Sequence, residues 1–192
     1  MIHVLAIDPG KNAGAALFLN GVLVASWQVK PGGEWAVVAE AIVRAEGEPI
    51  IAVAERWSNH GAFGGSRTQR GLGEAYGRWT GALHHEGIKR VVKVYARTWQ
   101  SMISGRVLPR AEMLVLTKRV ATTIAHREVG EDEAVAIVLG TYATTRGLHH
   151  VHAMLSIAEG KRLGIDVTAA RERVKAEKVL KRQRKARKVA RS

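Results

Sequence analysis

Two carboxylates, Asp8 and Glu55, each follow a short apolar run that is typical of a buried strand. Asp8 closes residues 2–7 and is followed at once by a Pro-Gly pair, which allows a sharp turn. Glu55 closes residues 50–54. If these strands lie parallel and adjacent, their end residues are about 5 Å apart and can share a cation. The pair therefore predicts a metal site aimed at a phosphodiester.

A third acidic position, Asp132, opens a predicted helix over residues 131–146 and is flanked by Glu131 and Glu133. Acids favour helix N-termini in any case, because they complement the helix dipole, and this alone would explain the cluster. Together with two acids at strand ends, a carboxylate cage for Mg²⁺ or Mn²⁺ is the better explanation.

Positive charge is concentrated at the end of the chain. The formal net charge is +13 over 192 residues, and residues 161–192 hold thirteen Lys and Arg against three acids. Such a basic arm normally contacts a polyanion, so nucleic acid is favoured over a solvated helix or an anionic membrane surface. We predict a nuclease domain over residues 1–148 and a basic, helical, nucleic-acid-contacting extension over residues 149–192.

Hydrophobic periodicity predicts an α/β domain. Three strand-like runs come first, and Asn20-Gly21 between the last two is a strong hairpin signal. A helix, a strand, a helix, a strand and three more helices follow, which predicts a mixed sheet with helices on both faces. The tryptophans expected in the core are Trp27, Trp35, Trp79 and Trp99.

Composition excludes several other classes. The chain has no cysteine and no apolar run near the roughly 20 residues that a membrane span requires. We therefore expect a soluble, cytoplasmic protein without a membrane partner. His149, His150 and His152 have no acids or cysteines around them in the sequence, so zinc is not predicted there.

Four segments in order resemble the RuvC-type Holliday junction resolvases, within the RNase H-like fold. They are residues 7–10 (Ile-Asp-Pro-Gly), residues 53–55 (Val-Ala-Glu), residues 72–77 (Leu-Gly-x-x-x-Gly) and residues 132–136 (Asp-Glu-Ala-Val-Ala). The resemblance runs from residue 1 to about residue 146. It implies an antiparallel three-stranded meander extended by parallel strands.

The resemblance also implies two Mg²⁺ ions per active site, with Mn²⁺ as a substitute, and no small-molecule cofactor. Asp8 would bridge the metals, Glu55 would hold one, and Asp132 would be a third ligand. The family's closing helix carries a second acid three residues from the first, but Val129 and Val135 stand at those positions. Glu131 is the expected substitute, and Glu128 is the alternative if the helix starts earlier.

In the family, a loop after the second acid reads the junction with an aromatic residue. Residues 57–70 correspond to it here, with Phe63 or Trp57 as the wedge. Basic residues expected near phosphates, from this loop and from the helix over residues 110–125, are Arg56, Arg67, Arg70, Lys118 and Arg119.

The resemblance implies a metal-dependent endonuclease that cuts branched DNA as a homodimer, because a four-way junction needs two symmetric cuts. Two alternatives remain open. One is an RNase H-like nuclease on RNA–DNA hybrids or structured RNA; the other is a DNA-junction-binding module whose acids no longer form a working site. An actin-like phosphotransferase ranks last, because that fold normally needs two such domains to enclose ATP.

Overall fold

The computed structural model describes residues 3–56, 66–89, 91–106, 108–145 and 147–189. The chain divides into two compact units, Met1–Arg146 and Gly147–Ser192. The described residues form five strands and eight helices: β1 (His3–Asp8), β2 (Ala13–Leu19), β3 (Val22–Val29), α1 (Glu34–Arg44), β4 (Ile50–Arg56), α2 (Ser66–His85), β5 (Val91–Tyr95), α3 (Ala96–Ser104), α4 (Arg110–Ala125), α5 (Glu131–Thr144), α6 (Leu148–Ala153), α7 (Ile157–Leu163) and α8 (Val167–Val189).

The first three strands form the predicted antiparallel meander. β1 pairs with β2, and β2 pairs with β3, with one register shift at Leu17 and Phe18. The hairpin between β2 and β3 turns at Asn20 and Gly21, whose φ angles are 54° and 84°. Positive φ at both positions is what a tight two-residue turn requires, which is why Asn-Gly is favoured there.

Parallel strands extend this meander. β4 lies parallel beside β1, with His3 opposite Ile50 and Ile7 opposite Ala54, and β5 lies parallel beside β4. The strand order is β3-β2-β1-β4-β5. This is the mixed sheet predicted from the sequence, and it brings the carboxyl ends of β1 and β4 to one edge.

Helices cover both faces of the sheet, as predicted. On one face, Leu5 and Leu17 join a core with Val38 of α1 and Trp79 of α2. On the other face, α5 packs across β1 and β2. A Cβ at Gly140 of α5 would overlap the Phe18 ring, so this glycine lets the helix approach the sheet closely.

The second unit is helical. The histidine-containing stretch forms α6, and α7 ends at Gly164 in the left-handed conformation with φ 66°. The guanidinium of Arg171 on α8 donates to the backbone carbonyls of Ala153 and Leu155, at 3.2 and 2.9 Å. The basic extension is therefore helical, as predicted, and α8 is anchored to the end of α6.

One expectation about the core is wrong. Trp35 is 46% exposed rather than buried, because it lies on the outer side of α1 and its ring meets His85 edge-on. Trp79 and Trp99 are buried, and Trp27 is partly buried with its indole N–H donating to Glu40. Among the described residues, no helix is both long and apolar enough to span a membrane.

The close approach of α5 to the sheet is testable with Gly140→Ala. We expect a loss of about 1–3 kcal/mol in the free energy of unfolding, because the new methyl group forces Phe18 out of its position. This steric loss should exceed the gain in helix propensity, which is about 1 kcal/mol when alanine replaces glycine. Urea unfolding measures it, with Gly71→Ala as the matched control, since a Cβ at Gly71 of α2 would meet nothing within 4 Å among the described residues and this variant should be neutral or stabilising. Equal stability of Gly140→Ala and wild type would contradict the packing.

Candidate metal centre

Asp8 and Glu55 meet at the edge where β1 and β4 end. Ile7 lies opposite Ala54 in the parallel pair, so the next residues along the two strands are the two acids. Both side chains are partly buried. On the other side of β1, Asp8 lies opposite Gly14 of β2. The topology therefore places two carboxylates on neighbouring strands, as the sequence predicted.

The N-terminus of α5 supplies Asp132 to the same edge. A Cβ at Gly14 would overlap the backbone carbonyl of Asp132, so only glycine allows the helix to sit against β2 there. A Cβ at Gly10 would lie 3.8 Å from the Oδ1 atom of Asp132, which places this carboxylate beside the turn after Asp8. Three acids distant in the sequence thus come together.

Gln28 of β3 orients Asp132 and completes the cap of α5. Its Nε2 donates to Asp132 Oδ2 at 2.8 Å, and its Oε1 accepts from the Glu133 backbone N–H at 3.4 Å. The residue at the N-cap position, Gly130, has no side chain to make the second bond, and a Cβ there would overlap the Gln28 amide. Gln28, a residue of the meander, therefore accepts the hydrogen bond that a side chain at the N-cap position would normally accept.

The acids around Asp132 have separate roles. Glu133 is buried: it accepts from Ser26 at 2.7 Å and from the Gly130 N–H at 3.3 Å, and it forms an ion pair with Arg127. It therefore stabilises the start of α5. Glu131 is exposed, as is Glu128.

The family resemblance predicts a further acid at position 129 or position 135. Both positions carry valine. Val129 is buried and Val135 is partly buried. Neither offers an oxygen ligand, so within the described residues the inner part of the site consists of Asp8, Glu55 and Asp132. Glu131 lies one helical turn before Val135 and is exposed.

Trp99 of α3 holds Glu55. Its side chain is 1% exposed, and its indole N–H donates to Glu55 Oε2 at 2.8 Å. The sequence indicated only a core tryptophan, because nothing in a helical pattern shows where the indole N–H points. This bond favours the charged carboxylate, although burial has the larger effect and raises the pKa of Glu55.

Electrostatic repulsion concentrates on Asp8. Burial raises its pKa well above the ordinary value, and the charges of Glu55 and Asp132 raise it further. A site that keeps three carboxylates together at this cost suits a cation, which would relieve both the desolvation and the repulsion. The donor set, oxygen atoms only, is the one that Mg²⁺ and Mn²⁺ prefer.

The three acids do not form a tight cluster. In the described part of the chain, the group that brings three ligand atoms within 4.8 Å of one another is His149, His150 and Glu177, in the second unit. At least one pair of the three carboxylates is therefore more than 4.8 Å apart.

The predicted DNA-contacting residues are found in different places. Arg56 follows Glu55 directly, and its guanidinium lies over the Tyr95 ring, 4.6 Å from the centroid. Arg70 is exposed on α2 and pairs with Glu74. Lys118 and Arg119 are exposed on α4, where Arg119 borders a groove with Arg106.

Three predicted residues cannot be placed in this way. Phe63 and Trp57 lie outside the described residues. Arg67 belongs to the first turn of α2, and its side chain is not described.

A mixed five-stranded sheet with acids at the ends of neighbouring strands and at a helix N-terminus defines an RNase H-like fold. Solved structures agree. The chain is similar to Thermus thermophilus RuvC in complex with a Holliday junction substrate, with a TM-score of 0.55 and 16% identity over 77% of this chain and 96% of that one. A second Thermus thermophilus RuvC structure has a TM-score of 0.53 and 17% identity, over the same shares of the two chains. No family model matches the chain, and no curated protein sequence does. The chain therefore has the RuvC fold.

The repulsion at Asp8 predicts that Asp8→Asn stabilises the metal-free protein. A carboxyl whose folded-state pKa is raised destabilises the fold above its unfolded-state pKa, so the gain should be present at pH 7 in EDTA and vanish near pH 4. Each 1 kcal/mol gained would raise the melting temperature by about 2–4 °C for a chain of this size. Mg²⁺ should then raise the melting temperature of wild type and leave that of Asp8→Asn unchanged.

Glu48→Gln is the control for loss of one negative charge. Glu48 is exposed, so its replacement should change stability by no more than about 0.5 kcal/mol at either pH. A destabilised Asp8→Asn at pH 7 in EDTA would show that Asp8 is not under repulsion.

Trp99→Phe should weaken metal binding by about 10–100-fold, because the carboxylate of Glu55 loses the donor that orients it. Calorimetric titration with MnCl₂ measures the affinity. Trp79→Phe is the matched control: Trp79 is equally buried, but within the described part of the chain its indole N–H has no hydrogen-bond partner. This control should lose stability and keep its metal affinity. Equal metal affinity in both variants would remove Trp99 from the site.

Proposed function

We propose that this protein is a metal-dependent endonuclease that resolves four-way DNA junctions by paired, symmetric nicks. The observation that carries the proposal is the convergence of Asp8, Glu55 and Asp132 on the RuvC fold. One of the two similar structures is a RuvC bound to a Holliday junction substrate, which supports branched DNA as the substrate class.

The three acids would hold two Mg²⁺ ions. When bound, such ions activate the attacking water and stabilise the leaving oxygen of the phosphodiester. Asp8 lies between the other two acids and would help to hold the ions, while Trp99 and Gln28 hold Glu55 and Asp132 in orientation. Glu131 is the additional carboxylate on the solvent side.

The charge distribution supports DNA as the partner. Arg56 follows Glu55 in β4, and its guanidinium lies over the Tyr95 ring. Arg70, Lys118 and Arg119 add exposed positive charge on α2 and α4. α8 adds further Lys and Arg, which would supply salt-sensitive, sequence-independent affinity for the phosphate backbone.

A homodimer would provide the two active sites that paired nicks require. Gly73 and Gly77 of α2 lie one turn apart and are exposed, and a Cβ at either would meet nothing within 4 Å among the described residues. Such a row lets a second helix approach closely, so we propose this face of α2 as the dimer interface.

The test is cleavage of a labelled mobile four-way junction with Mg²⁺, with Mn²⁺ and with EDTA. We expect symmetric nicks that require metal. Asp8→Asn and Asp132→Asn should each reduce the rate by more than about 100-fold, beyond the effect of a residue that only supports a ligand. Linear duplex and RNA–DNA hybrid serve as competitor substrates, and preference for the hybrid would redirect the proposal to an RNase H-like nuclease.

Two further variants define the fourth ligand. Loss of cleavage in Glu131→Gln, with activity kept in Glu128→Gln, would assign Glu131 to the metal site. Tight junction binding with no cleavage in either metal would contradict the enzyme. It would instead identify a structure-selective DNA-binding protein in which Val129 and Val135 mark a lost site.

A further inference from the structure

The second unit contains a cluster of metal-ligating side chains that is separate from the acidic site. Its members are His149 and His150 on α6 and Glu177 on α8, and their ligand atoms all lie within 4.8 Å of one another. In the sequence these histidines have no acidic neighbour. The packing of α8 on α6 brings Glu177 beside them from the other helix.

The spacing of the ligand atoms fits a four-coordinate metal ion. The Nε2 atom of His149 lies 2.7 Å from Glu177 Oε1, and the Nε2 atom of His150 lies 3.8 Å from Glu177 Oε2. Ligands about 2.0–2.1 Å from a tetrahedral ion are roughly 3.3 Å apart, and the two distances lie on either side of that value. The ligand atoms of the two histidines also lie within 4.8 Å of each other.

Contacts within the cluster account for only part of it. His149 Nε2 and Glu177 form a short ion-pair contact, which lowers the pKa of Glu177. Among the described residues, His150 Nδ1 and His152 Nε2 are buried with no hydrogen-bond partner. The two adjacent rings of His149 and His150 lie 4.3 Å apart at a 46° tilt. Buried imidazole nitrogens without partners cost free energy, and a bound cation would satisfy those that face Glu177.

Positive side chains near the cluster would oppose a bound cation. Lys178 and Lys181 act on His150 from α8. Lysine stems are flexible, so their ammonium groups can turn away to solvent.

We propose that His149, His150 and Glu177 bind one divalent transition-metal ion, with Zn²⁺ as the representative, and that this ion fastens the basic helix α8 to α6. Imidazole nitrogen with one carboxylate suits Zn²⁺ and its neighbours in the first transition row, and does not suit Mg²⁺. The ion would be structural and would act independently of the Mg²⁺ site.

The position of the ligands indicates what the ion would do. Arg171 already ties the start of α8 to the end of α6 through two backbone carbonyls. Glu177 is six residues further along, or about 9 Å on a helix that rises 1.5 Å per residue. A second attachment there would hold α8 along two turns and set the direction in which its remaining Lys and Arg residues project.

The test is calorimetric titration of untagged, full-length protein with ZnCl₂, in an Asp8→Asn background that weakens binding at the acidic site. We expect one saturable site. Glu177→Gln and His149→Gln should each weaken Zn²⁺ binding by at least tenfold. Excess MgCl₂ should not compete. Co²⁺ in place of Zn²⁺ should give the strong visible absorption of a four-coordinate ion, and the absorption should be absent in both variants.

Matched controls separate the site from general effects. Glu172→Gln removes an exposed carboxylate from the same helix, one that pairs with Lys175, and His85→Gln removes an exposed histidine from α2. Both should bind Zn²⁺ as the parent does. Zn²⁺ should also slow tryptic cleavage of α8 in the parent and not in Glu177→Gln. Equal Zn²⁺ affinity in Glu177→Gln and the parent, or no saturable binding, would overturn the proposal.

Discussion

The contact between the N-terminus of α5 and Gly14 of β2 is the constraint on which the acidic site depends. β1 and β4 pair in parallel and so bring two carboxylates to one edge by backbone hydrogen bonds alone. The third acid arrives only because Gly14 has no side chain to hold α5 away from the sheet. Gly140, further along α5, allows the same close approach against Phe18. Close helix-to-sheet packing therefore has a direct chemical consequence.

Repulsion among the acids is balanced by bonds from residues outside the carboxylate group. Trp99 donates a hydrogen bond to Glu55, and Gln28 donates one to Asp132. At Asp8, burial and the charges of the other two acids raise the pKa. The folded protein thus keeps a concentration of negative charge that costs stability. A site of this kind favours cation binding, because the cation lowers the free energy of the folded state more than that of the unfolded chain.

Most of the fold was predictable because its signals are local. The Asn20-Gly21 turn, the alternating strand runs and the apolar helices give the meander and the mixed sheet directly, and they were confirmed. The exposure of Trp35 was not predictable, since a helical pattern places a tryptophan on a face without showing how far that face is covered. Glu133 shows the same limit: its sequence position is equivalent to that of Asp132, yet it is buried against Arg127 and Ser26.

The sequence by itself determined that Asp8 and Glu55 end apolar strands, that Asp132 opens a helix and that the chain ends in a basic helix. These properties depend on residues close in the chain. Only the tertiary structure decided that Asp132 lies near Asp8 while its neighbour Glu133 is buried against Arg127, and that Trp99 and Gln28 orient the carboxylates. It alone brought Glu177 to the histidines of α6. Such contacts join residues tens of positions apart, and their partners are set by how helices pack, which no local pattern records.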